Sequence, residues 1–145
     1  MINDREGPFL AAAFFCDKVL DEKDDVLSAI RIVNKITLTA SSPEITLEIN
    51  PAKINLMGLV SIRAGGVKGN HKIKVMSDSE ILSEPSQIAV DISFDGNDDA
   101  TNNVIITLGI EVKREGMIWF GVFFDDKLLT KMPLRIQVVV AQKKQ

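Results

Sequence analysis

The chain has 145 residues, enough for one domain whose folding removes roughly 70% of the unfolded surface from water. Apolar residues make up 46% and charged residues 26%, with a net charge of −3, a balance that favours neither disorder nor a membrane-embedded chain. Mild acidity argues against nucleic acid as the main partner, because a phosphate backbone calls for a basic stripe, and a single strand for an aromatic-plus-Arg platform that the linear sequence does not display.

In chain order, residues 1–7 are an expected frayed end, as are residues 142–145, so that 1–145 reads as a single domain. The apolar run "FLAAAFFC" differs from an export signal in three ways. The preceding "NDRE" is more acidic than basic, the run is only eight residues long, and Phe15 is too large for the cleavage site. A cytoplasmic protein is expected, without membrane contact. The single cysteine, Cys16, agrees with this, since it can form neither an internal disulfide nor a thiolate metal site. Val19, Val26, Ile30 and Val33 also satisfy helical spacing. Two strands joined by the charged turn "DEKDD" are nevertheless preferred for residues 17–34, because Ile30, Ile32, Ile36 and Leu38 alternate and β-branched residues are frequent.

Period-two alternation then dominates. It runs through Ile45, Leu47 and Ile49; through Ile54, Leu56, Val60 and Ile62; and through Ile88, Val90, Ile92 and Phe94. The cleanest case is Val104, Ile106, Leu108, Ile110 and Val112, and the last is Leu134, Ile136, Val138 and Val140. Turn signals such as "AGGVKGN", "DGNDDATNN", "REG" and "DDK" separate these segments. About nine strands, with no helical segment long enough to connect parallel neighbours, predict an all-β antiparallel sandwich.

Several segments carry the resemblance to a known family. They are the opening "FFCDKVL", the strand and turn "IRIVNKIT", the Gly-bounded hairpin "VSIRAGGVKGNHKIKVMSD" and the closing "EGMIWFGVFFDDKLLTKMPLRI". Across roughly residues 8–140 the chain resembles a family of small uncharacterised bacterial proteins with an immunoglobulin-like β-sandwich, a domain of unknown function. Gly116, Asp125, Asp126, Pro133 and Leu134 stand where that family has a strand-opening Gly, an Asp-containing turn and a Pro-Leu. Ser77-Asp78-Ser79 and Ile118 depart from its Asp-Pro and Tyr. The resemblance implies an immunoglobulin-like fold and no activity.

The chemistry-bearing residues are few. His71 is the only histidine and reads as an exposed turn residue, and Cys16 reads as a buried, inert thiol. Asp95, Asn97 and Asp99 have the spacing that starts a calcium loop, but Ala100 and Ile106 replace its Gly and its bidentate Glu, so a solvated turn is expected. "AGGVKGNHK" matches neither phosphate-binding fingerprint. No catalytic group, metal or cofactor is expected.

The unusual stretch is "GMIWFGVFFDD", where Gly121 alone interrupts the bulky apolar residues from Met117 to Phe124. If Ile118, Phe120, Val122 and Phe124 face the core, then Met117, Trp119 and Phe123 share the other face. That face is expected to be covered by neighbouring side chains or the N-terminal "FLAAAFF" strand, by a protein partner or by a second copy. A non-enzymatic interaction or assembly module is the leading expectation. A small-ligand or carbohydrate-binding sandwich with Trp119 in a pocket is the alternative.

Overall fold

The computed structural model describes residues 6–97 and 99–141, without the side chain of residue 25. Nine strands are present among them: β1 (Phe9–Asp21), β2 (Leu27–Val33), β3 (Lys35–Ala40), β4 (Ala52–Arg63), β5 (Gly69–Ser77), β6 (Ser86–Phe94), β7 (Thr101–Val112), β8 (Gly116–Phe124) and β9 (Lys127–Val140). They form a four-stranded sheet in the order β2-β1-β4-β7 and a five-stranded sheet in the order β3-β9-β8-β5-β6. The only described helix is a single 3-10 turn at Lys23–Asp25, within "DEKDD", so residues 17–34 are indeed two strands joined by that turn. No described helix is long and apolar enough to cross a membrane.

The alternating residues build one core. Val104, Ile106, Leu108, Ile110 and Val112 of β7, and Leu56, Val60 and Ile62 of β4, are buried on the inner face of the four-stranded sheet. Ile73, Val75, Ile118, Phe120, Val122, Leu134 and Ile136 meet them from the five-stranded sheet. The rings of Phe15 and Phe120 join the two layers edge to face, with centroids 4.9 Å apart. Edge-to-face contact brings the positive rim of one ring to the negative face of the other, and adds about 0.5–1.5 kcal/mol to the burial of the rings.

Three expectations are corrected. The arrangement is not purely antiparallel. After β2 the chain crosses at Asn34 into the other sheet, and β3 runs parallel to β9, with the Arg135 N–H donating to the Asn34 carbonyl at 3.0 Å. Ile45, Leu47 and Ile49 do not form a strand, since residues 41–50 are turns and Ile49 is exposed; their alternation answers to no sheet face. The Gly-rich segment after β4 is not a hairpin either, because β4 and β5 belong to different sheets and residues 64–68 carry the chain between them. Most of the expected frayed ends, residues 1–5 and 142–145, lies outside the described residues, and Gly7 is exposed but runs close to the Ala64 backbone. A Cβ there would stand 2.1 Å from the Ala64 carbonyl oxygen.

Candidate functional site

β8 has the parity expected of it. Ile118, Phe120, Val122 and Phe124 are buried, and Met117, Trp119 and Phe123 lie on the opposite, outer face. The N-terminal strand does not cover that face. β1 is in the other sheet and packs against β8 from within, through Phe15. Trp119 is therefore left 54% exposed beside its cross-strand neighbour Pro133.

Phe123 is treated differently from Trp119. Its ring lies over Gly121, where an added Cβ would meet the ring's Cε2 at 2.7 Å and Cζ at 3.1 Å. The Lys74 Nζ stands 5.8 Å from the ring centroid on the adjacent strand. Gly121 is thus the seat of a side chain two residues along its own strand, which is why a strand interior tolerates a residue with nothing to pack. Among Met117, Trp119 and Phe123, only Trp119 is classed as exposed, while the other two are half-buried.

The outer face also carries charge that linear reading missed. Register places Lys35 beside Arg135, which pairs with Met117, and Lys131 opposite Gly121; Lys74 pairs with Phe123, and Lys72 pairs with Asp91. Alternate residues of β3, β9 and β5, remote in sequence, thereby bring five cations around the β8 apolar row, with Asp91 as the one acid in these five strands. The available signal was the parity of Lys131 and Arg135 about Pro133, and of Lys72 and Lys74.

His71 is not an exposed turn residue. It takes the inward parity of β5 at one end of the core and stacks on Phe124, with centroids 4.8 Å apart and an interplanar angle of 27°. Its Nδ1 donates to Asp125, and its Nε2 donates to the Lys68 carbonyl at 2.8 Å. Neither acceptor carries a proton, so satisfying both requires the doubly protonated ring. Asp125 and Asp126 both have positive φ, as the two central residues of a type I′ hairpin must. From this turn, Asp125 accepts a second hydrogen bond from the Lys72 N–H at 2.9 Å, and its own N–H donates to the Lys72 carbonyl at 3.0 Å. The pair thus binds the β8–β9 turn to β5.

An open depression of about 590 Å³ adjoins this pair, ringed by Asn70, Lys72, Asp91 and Ser93. A second, of about 380 Å³, lies between the turns at 40–48 and residues 113–115. Trp119 lines neither. The Asp95 carboxylate of the calcium-like loop is taken by the Asn97 backbone N–H at 2.9 Å and the Asn97 side-chain amide at 3.2 Å. Cys16 is buried on the outer face of the four-stranded sheet between Met57 and Ile32, and burial pushes its thiol above the usual range.

Two outcomes follow from these contacts. Gly121→Ala should lower stability by about 1–3 kcal/mol by forcing the Phe123 ring off its seat. In a Phe123→Ala background the same change should be neutral or stabilising, because a strand glycine no longer has a ring to accommodate; chemical denaturation of the four proteins gives the coupling, and additive effects would contradict the seating. The second outcome concerns pH. The hydrogen bond to Asp125, followed by the one to Lys68, raises the His71 pKa from 6.5, and the bond from His71, followed by the Lys72 N–H, lowers that of Asp125 from 3.8. A raised histidine pKa stabilises fully below 6.5 and is lost as pH rises through the folded value. A lowered carboxylate pKa stabilises above 3.8 and is lost as pH falls through its folded value. The gap in melting temperature between wild type and Asp125→Asn should therefore be widest between these values and narrow at alkaline pH, whereas a constant gap would contradict the clamp.

No family model matches the chain, and no curated protein matches it in sequence.

Proposed function

We propose that this protein is a non-enzymatic interaction module with an immunoglobulin-like β-sandwich fold, which binds a protein partner through the outer face of its five-stranded sheet. The observation that carries this reading is Trp119, held half-exposed on an open sheet face beside Pro133 and Met117. Burying an aromatic side chain of this size is worth roughly 1.5–3 kcal/mol, which remains available to an occupant of the face. Tryptophan and methionine are also enriched in protein interfaces.

The topology supports the immunoglobulin-like assignment. Hairpins β5–β6 and β8–β9 alternate with passages between sheets at β4–β5, β6–β7 and β7–β8, and an early strand runs parallel to the last. The non-enzymatic reading is supported by His71 and Asp125, which are committed to each other, and by the burial of Cys16. A ligand-binding sandwich would present Trp119 in a cleft with converging polar groups, whereas here its cross-strand neighbour is Pro133.

Photo-crosslinking in cells tests the reading. A benzophenone amino acid at position 119 should give discrete protein adducts, and the same residue at Thr107, exposed on the other sheet, should give fewer. Equal labelling at both positions, or no adducts at position 119, would overturn it.

A further inference from the structure

The five-stranded sheet's outer face has a chemistry that narrows its occupant. Trp119 stands between Lys131 and Arg135, which lie one residue pair to either side of Pro133 on β9. Diagonal neighbours on one sheet face are about 7–8 Å apart, so both cations can reach a group resting on the indole. Lys35 extends the charge beyond Arg135, and Lys74 extends it on the far side of β8. Lys72 and Lys74 approach Asp91 and Asp126, each at 3.9 Å, whereas Lys35, Lys131 and Arg135 have no ion-pair partner among the described residues. All three are exposed.

We infer that this face docks an acidic, amphipathic polypeptide segment, whose apolar side chains cover Met117 and Trp119 and whose carboxylates meet Lys35, Lys131 and Arg135. The inference rests on the interaction reading above and adds the partner's chemistry. A second copy of the chain meeting the face symmetrically would set these cations against themselves, since a two-fold interface brings each patch to its own image. That juxtaposition opposes self-association and leaves charge of the other sign as the complement. Single-stranded nucleic acid fits less well. Only Trp119 presents an open ring for base stacking, since Phe123 lies on Gly121 beneath Lys74, and Asp91, Asp125 and Asp126 stand at the end of the face where a phosphate track would continue.

Panning a random dodecapeptide display library against the full chain tests this, with the best binders re-measured through Trp119 fluorescence. Enriched peptides should combine Asp or Glu with large apolar residues and should shift the Trp119 emission. Their affinity should fall at least tenfold in Lys131→Glu/Arg135→Glu, and should weaken as salt rises from about 0.05 M to about 0.5 M, where screening shortens the reach of exposed charges. Circular dichroism would establish that the variant is folded. Peptides with no acidic excess that still require Trp119 would overturn the partner chemistry and leave the interaction reading standing. The inference also fails if no binders enrich, or if binding is indifferent to the charge reversal. Tighter binding of an oligodeoxythymidylate than of any peptide would reassign the face to nucleic acid.

Discussion

The contact between Phe15 and Phe120 holds the two sheets in one register, and much else follows from it. Phe15 lies on β1, between β2 and β4, and Phe120 lies on β8, between β9 and β5, so an interior strand of each sheet is pinned to the other. Ile118, Val122 and Phe124 then follow Phe120 inward. Side chains alternate with period two, so this burial forces Met117, Trp119 and Phe123 outward. A slip of one residue would bury Trp119 and expose Phe120. The exposure of Trp119 is thus a consequence of core packing, and the outer face could be quiet or functional depending on what its neighbours supply.

Half of the cross-strand neighbours, Arg135, Lys131 and Lys74, are cations, although the chain is acidic overall. The acids are concentrated at strand ends and in connections: Asp21 at the end of β1, Glu22 and Asp24 after it, Glu80 and Glu84 before β6, and Asp95 and Asp99 before β7. Net charge averages these ends with the sheet face and conceals the difference. A field local to one face is what a partner meets at contact distance, because exposed charges beyond about 10 Å are screened at ordinary salt. An acidic chain can therefore carry a basic docking surface.

The parity of nearly every strand was legible in the sequence, because each strand buries one side only. The assignment of Met117, Trp119 and Phe123 to one face came from the same rule. Partnership between strands was not legible. Nothing in the alternation of β4 and β5 says that they occupy different sheets, or that β3 lies parallel to β9. Ile45, Leu47 and Ile49 show the converse, a strand-like pattern in a segment that turns and pairs with no described strand. The basic face escaped notice for a related reason, since Lys35, Lys74, Lys131 and Arg135 come together only through sheet register. The His71–Asp125 pair spans 54 positions of sequence and depends on a positive-φ turn that places the carboxylate beside β5.

Quenching of Trp119 fluorescence by ions of opposite sign measures the central claim directly, because this is the chain's only tryptophan. A half-exposed indole on a cationic face should be quenched by iodide several-fold more strongly than by caesium, and the difference should shrink as ionic strength rises. Lys131→Glu/Arg135→Glu should reverse the order. Equal quenching by the two ions in the wild type, or stronger quenching by caesium, would contradict a basic face around Trp119, and resistance to both ions would contradict its exposure.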